Sequence, residues 1–429
     1  MNYGSATDER RGHQGWIRFR SRRARGWEWI QARTRRPRRL AAAATDRVRR
    51  HGTSEHVRTF TPPDQRSYPE TCIWVCGRRH ERQRPATEDG RLTATYLGTY
   101  ALPMRSIQLG PSGPSVSAVG FGCNSLSLRR PRDDAEGFAT LMAALEAGIT
   151  FLDTADFYGH GHNEMLIGRA LRGHRREAAF LSVKCNSLFS PSGAFLGLDG
   201  RPSAIKNHCG YSLQRLGLNV IDLYAPSRKD PAVPFEETVG AIADLIAEGK
   251  VRYLGLSEVG ADDLRRAHAV HPVTALEIEY SLAARFIERE ILPTARELGV
   301  GIVAYRVLAD GLLSGAVGPE PAGDEGRLTP PRLLPPHRAA NVAVIATLRE
   351  MAAAKGYTPA QLAVAWVLTR GDHIVPLVGI SRRARVAENL ASLDVRFTVA
   401  ELATLEQVFA PGAIAGGRYP EFVERFAAR

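Results

Sequence analysis

Lysine is nearly missing from this chain of 429 residues: 52 of its 57 basic residues are arginine and five are lysine. Cysteine, methionine and tryptophan are just as scarce, at five each. An odd number of scattered cysteines excludes a disulfide scaffold and suits reduced thiols in a cytosolic protein. The pair Cys72-x3-Cys76 offers too few ligands for a zinc site. No stretch approaches 18 uninterrupted apolar residues, so no membrane-spanning helix is expected. No apolar h-region follows the early arginines, which argues against a secretory signal. Asp8, Glu9 and Glu28 argue against an acid-poor transit peptide. What remains is an average globular composition, 44% hydrophobic and 24% charged, with a formal net charge of +12.

The charge is localised. Residues 1–103 hold 22 Arg, no Lys and 10 acidic residues, a net of +12; residues 104–429 hold 35 basic and 35 acidic residues. Four of the five tryptophans (Trp16, Trp27, Trp29 and Trp74) lie in the basic part. No helical or strand period persists there beyond short runs such as Thr71–Cys76. Three readings compete for it: a solvated disordered extension, translated GC-rich DNA upstream of a start at Met104, and a nucleic-acid module making phosphate contacts. The first two are expected over the third.

From residue 104 the chain alternates apolar, β-branched runs with amphipathic helical runs. The strand-like runs are Ser117–Cys123, Ile149–Ala155, Ala179–Lys184, Val220–Pro226, Tyr253–Glu258, Ala275–Ser281, Gly301–Leu308 and His373–Gly379. Several are continuously apolar, as parallel strands buried on both faces should be. Between them, Asp134–Gly148 and Phe235–Lys250 carry helical spacing and end at glycines. Thr358-Pro359 reads as an N-cap with a first-turn proline, and Thr398 with Glu401 as a capping box. Eight β–α repeats in about 300 residues predict a (β/α)8 TIM barrel. A doubly wound sheet is the alternative, but Gly120-Phe-Gly122 lacks the third glycine of its phosphate loop.

Barrel chemistry belongs at the C-terminal ends of the strands. There the sequence has Asp153 and Tyr158 after the second run and Lys184 at the end of the third. A free Tyr, with a pKa of about 10, is a poor proton donor at neutral pH. An ammonium beside it stabilises the phenolate, and an Asp paired to that ammonium holds it in place. These residues therefore read either as a tuned general acid or as a structural ion pair with a capping Tyr. His160-x-His162 has no third metal ligand and reads as loop surface.

At these residues the chain resembles the aldo-keto reductase family, over essentially all of 104–429. The segment Leu152-Asp-Thr-Ala-Asp-Phe-Tyr-Gly159 with Asn163-Glu164 carries the resemblance most specifically. Further matches are Ser212-Leu-Gln-Arg-Leu-Gly217, Ile221-Asp-Leu-Tyr224, Gly255-Leu-Ser-Glu258, Glu279-Tyr-Ser281, Gly311-Leu-Leu-Ser-Gly315 and Arg385-Val-Ala-Glu388-Asn389. The resemblance implies an oxidoreductase that reduces an aldehyde or ketone with NADPH. Tyr158 would be its general acid, assisted by Lys184 and Asp153. It implies a nicotinamide site at Ser257, Glu277, Tyr305 and Leu308. It implies an adenosine-phosphate site at Gly379, Ser381, Arg382, Arg385, Glu388 and Asn389. The three arginines of Ser381-Arg-Arg-Ala-Arg385 favour NADP(H) over NAD(H) through the 2′-phosphate, unless they are solvated surface charges. The implied partner is a small carbonyl compound in the cytoplasm, with no metal, membrane or nucleic acid; oligomeric state is open.

Three departures stand out. Ser227 occupies the place of a common His; it can donate a hydrogen bond to a substrate oxygen but cannot act as a cation. Glu277 stands where Gln is common and can only accept hydrogen bonds unless protonated. Asp310 follows the seventh run where an Arg is usual, adding an acid near the cofactor phosphates. Gly318–Pro336, rich in Pro and Gly, reads as a mobile cofactor-covering loop. The departures at Ser227 and Asp310 favour a second reading, a redox-sensing or scaffolding protein that binds NADPH and turns over slowly.

Overall fold

The structure is a computed structural model that describes residues 104–428 except 129–131, 174 and 321–328, together with four strand segments nearer the N-terminus. The chain divides into two units, Met1–Thr99 and Tyr100–Arg429. In the first, Trp16–Arg23 pairs antiparallel with Gly26–Arg33, and His56–Arg58 with Trp74–Cys76. The eight-residue pair lies where no sustained period is legible in the sequence. The reading of residues 1–103 as a disordered or upstream extension otherwise falls outside the described residues.

The second unit is a closed barrel of eight parallel strands. In chain order they are Gly120–Gly122, Phe151–Ala155, Phe180–Cys185, Ile221–Pro226, Val251–Ser257, Val273–Glu279, Gly301–Tyr305 and Ile374–Gly379. Each falls within or beside one of the eight expected runs. The last strand pairs with the first, Leu377 opposite Gly120, which closes the sheet and removes its edges. That closure excludes the doubly wound alternative.

Alternation along each strand decides what faces inward. Phe151, Phe180, Leu223, Ala275, Val303 and Val375 fill the lower barrel, and the Phe151 and Phe180 rings lie 5.4 Å apart. A hairpin of Ser106–Gln108 and Ser115–Ser117 brings Ile107, Leu109, Val116 and Ala118 to the same cluster. The intervening positions, among them Leu152, Leu181, Leu256, Leu276 and Ile302, point outward to a second core shared with the helices. Gly120 is required by this packing: a Cβ there would lie 2.5 Å from Leu377 and 2.6 Å from Phe151.

The expected helix signals act as read. Thr358 and Gln361 form a reciprocal capping box on helix Pro359–Leu368. Thr398 and Glu401 do the same for Val399–Val408. Cys123, Cys185 and Cys209 are free and buried, and burial raises all three thiols, Cys209 to about 12, so they are inert packing residues. Among the described residues no helix is long and apolar enough to cross a membrane.

Candidate active site

One step above the inner apolar layer, the same alternation turns polar. Two residues beyond Phe151 comes Asp153; two beyond Gly255 comes Ser257; two beyond Ala275 comes Glu277; two beyond Val303 comes Tyr305. Lys184 follows Phe180 by four. In register, Ala155 and Ala225 flank Lys184, and Ser257 lies opposite Glu277. The sheet therefore delivers these side chains to one end of the barrel, at the C-terminal ends of the strands.

Lys184 is the hub. Its Nζ donates to both oxygens of Asp153 at 2.7 and 2.6 Å and lies 3.1 Å from Glu277 Oε2. All three are buried, with relative exposures of 4%, 3% and 7% for Lys184, Asp153 and Glu277. Burial alone would discharge the lysine, but Asp153 and Glu277 outweigh it and raise its pKa well above the ordinary value. Glu277 moves the other way from a usual carboxyl. Burial first, then the charge of Asp153, push it up to about 8 against the pull of Lys184 and Arg228. A carboxyl raised in this way can hold its proton where a free one has lost it, and in that form it donates a hydrogen bond, the capacity expected to be lost where Glu replaces Gln.

Tyr158 sits in the loop after the second strand, half-buried, with Lys184 Nζ 5.5 Å from its ring centroid. Its phenol is not lowered overall. Burial raises it above the ordinary value, Lys184 opposes, and Asp153 and Glu277 add to the rise. The ammonium limits a shift that burial dominates, which corrects the simple expectation of a tuned-down phenol.

Ser227 is buried and engaged. Its hydroxyl donates to Asn186 Oδ1 at 2.9 Å and meets the Ser187 hydroxyl at 2.6 Å, while Asn186 Nδ2 donates to the Arg228 carbonyl at 2.9 Å. Three strand ends at this mouth carry non-glycine residues in left-handed backbone: Asn186 (φ 71°), Glu258 (φ 52°) and Arg306 (φ 50°). Such conformations cost of order 1–3 kcal/mol and concentrate where side chains must be aimed.

A second charged cluster was not legible as a unit. Tyr305 donates to Glu258 at 2.8 Å, and Arg228 lies near the Tyr305 hydroxyl and 3.1 Å from that of Tyr419. Arg418 binds Glu258, and the hydroxyls of Tyr305 and Tyr419 meet. Burial acts to raise Glu258, but Arg228 and Arg418 hold it below the usual carboxylate range. Arg332, 1% exposed, bridges Glu279 at 2.6 Å and Asp310 at 2.9 Å, and Arg306 lies 3.3 Å from Asp310. The acid expected to trouble cofactor phosphates is thus already neutralised by two arginines. Residues 321–328 of the expected mobile loop lie outside the described residues, but Pro331–Leu333 forms a 3-10 turn pinned by Arg332. The signal for Glu279 was strand alternation continued to the mouth; Glu258 directly follows inward Ser257, out of that phase, and carries the left-handed backbone noted above. Arg418 and Tyr419, far along the chain, offered none.

The remaining candidates gather on the eighth strand's loop. Gly379 is exposed, and a Cβ there would meet nothing within 4 Å. Ser381 and Arg382 precede the short helix Ala384–Leu390. Arg385 pairs with Glu388, Asn389 donates to the Arg385 carbonyl at 2.7 Å, and Arg383 pairs with Glu136 at 3.0 Å. Arg382 is exposed and makes no ion pair among the described residues. Leu308 packs against the outer core. His160 and His162 are used by the surface: His160 meets the Ser190 carbonyl, and His162 bridges Ser127 and Asp134. Among the described residues no group of three or more His, Cys, Asp or Glu side chains could hold a metal ion.

Known proteins align with this architecture. A family model described as the aldo/keto reductase family matches residues 118–410. "Probable aldo-keto reductase 1" of Glycine max is 38% identical over 327 residues, covering 76% of this chain and 94% of that protein. A glycerol dehydrogenase from Gluconobacter oxydans superposes with a TM-score of 0.65 at 26% identity, covering 72% of this chain and 96% of its own. A thermostable aldo-keto reductase crystallised with the inhibitor epalrestat superposes with a TM-score of 0.58 at 26% identity, covering 71% of this chain and 100% of its own.

Proposed function

This chain belongs to the aldo/keto reductase family, an oxidoreductase family, and we propose that it reduces a small aldehyde or ketone to an alcohol using NADPH. The observation that carries the proposal is the buried Asp153–Lys184 pair beside Tyr158 at the open end of the barrel. Tyr158 is the acid that protonates the carbonyl oxygen. Lys184 stabilises the phenolate left behind, and Asp153 fixes Lys184 in place.

The residues present fit a nicotinamide cofactor. Ser257 offers a hydroxyl beside Glu277 at adjacent strand ends, and the half-buried Tyr305 ring lies beside them on the seventh strand. The open space over Gly379 and the exposed Arg382 suit a phosphate-bearing end, with Ser381, Arg385, Glu388 and Asn389 framing it. When bound, NADPH supplies the hydride that reaches the carbonyl carbon. Asn186 and Ser187 hold the Ser227 hydroxyl, so its part is to shape the oxygen-binding side of the site unless substrate displaces one of them.

That engagement of Ser227 also favours the second reading, a cofactor-binding sensor with slow turnover. One assay separates the two. The full chain should oxidise NADPH at 340 nm in the presence of an aromatic aldehyde, faster than it oxidises NADH. Tyr158→Phe should lower the rate by about 10²–10⁴-fold. Full turnover by Tyr158→Phe would remove the proposed acid, and NADPH binding without turnover would favour the sensor.

A further inference from the structure

Lys184 faces two carboxylates rather than one, and the second has no counterpart in the Asp–Lys–Tyr set that the chemistry needs. Asp153 approaches from the second strand and Glu277 from the sixth, on the same ammonium. The groups around Glu277 can be named element by element. They are Asp153 on the second strand, Tyr158 in the loop after it, Lys184 on the third, and Arg228 after the fourth. The fifth and seventh strands place uncharged Ser257 and Val303 at its level. With Glu277 protonated, Asp153 and Lys184 cancel and Arg228 leaves a net charge of +1 around Tyr158. With Glu277 ionised, Asp153, Glu277, Lys184 and Arg228 sum to zero, and a phenolate on Tyr158 loses that surplus cation.

We propose that Glu277 is a positioning residue that acts as the alkaline switch of the reaction, through the charge it shares with Lys184. This rests on Tyr158 being the proton donor. When the phenol gives its proton to the carbonyl oxygen, negative charge appears on Tyr158. Ionised Glu277 opposes that charge and draws Lys184 towards itself. Loss of the Glu277 proton therefore slows reduction without touching substrate. The rise of the Glu277 carboxyl, caused by burial and Asp153, puts this loss in the mildly alkaline range. A Gln at the same place would keep the hydrogen bond and discard the switch.

The test is kcat for aldehyde reduction against pH in the full chain, wild type beside Glu277→Gln. Wild type should lose rate through a limb near pH 8, and Glu277→Gln should hold its rate at least about one pH unit further. A wild-type profile that stays flat, or a limb unmoved in Glu277→Gln, overturns the proposal. Tyr158→Phe, run alongside, separates the two claims: its full activity would remove the acid reading, whereas an unmoved limb with inactive Tyr158→Phe removes only the role of Glu277. A second readout needs no cofactor. A carboxyl whose pKa is raised in the folded state makes the fold lose stability as pH rises from the unfolded pKa, about 4.3, to the folded one. Tm of Glu277→Gln minus Tm of wild type should therefore widen between about pH 5 and pH 8 and level off above. Parallel Tm curves overturn the proposal.

Discussion

Lys184 is one of only five lysines in an arginine-rich chain, and its neighbours explain why an arginine would not serve. A compact ammonium fits between Asp153 and Glu277 at 2.6–3.1 Å and still faces the Tyr158 ring at 5.5 Å. A planar guanidinium would bind both acids but could not occupy that space or respond to a proton. Lys184→Met removes the shared cation and leaves two buried carboxyls. Breaking a buried pair from one side costs about 3–5 kcal/mol, so chemical denaturation should report a loss of that size. Reduction should fall with it by about 10²–10⁴-fold, because Tyr158 would lose the stronger of the two cations that favour its phenolate, Lys184 ahead of Arg228.

At the scale of elements, a period of two along parallel strands does most of the positioning. The alternation that buries Phe151, Ala275 and Val303 in the lower barrel also points Asp153, Glu277 and Tyr305 into the mouth. That is why the eight strands, the Asp153–Lys184 pair, the N-cap at Thr358 and the capping box at Thr398 were legible in the sequence: each depends on spacing or on near neighbours. The Glu258–Arg418 and Tyr305–Tyr419 contacts were not, because they join residues separated by more than 100 positions and depend on the path of the C-terminal segment. The state of Glu277 was not legible either, since it depends on two acids from non-adjacent strands meeting one lysine. Gly120 tests the strand packing itself. Gly120→Ala forces a methyl group against Leu377 and Phe151, and should cost about 1–3 kcal/mol in unfolding free energy while leaving the site residues in place. A neutral Gly120→Ala would mean that the first strand is not held against its neighbours as described.

For the whole molecule, bulk charge and local charge point in different directions. The excess of +12 lies in residues 1–103, while the barrel portion is neutral and presents a mixed surface. The arginines that matter to the proposed chemistry are few: Arg228 and Arg418 around Glu258, Arg332 between Glu279 and Asp310, and exposed Arg382 beside the loop after Gly379. The central claim is that this barrel delivers a hydride to a carbonyl carbon while Tyr158 delivers the proton. The most direct measurement is isotope transfer from NADPH carrying deuterium at the nicotinamide C4 position that is transferred, with the alcohol product analysed by mass spectrometry. The account predicts one deuterium on the carbinol carbon with the wild-type chain and no labelled alcohol above background with Tyr158→Phe. Product alcohol without deuterium, or labelled product at an undiminished rate from Tyr158→Phe, would contradict it.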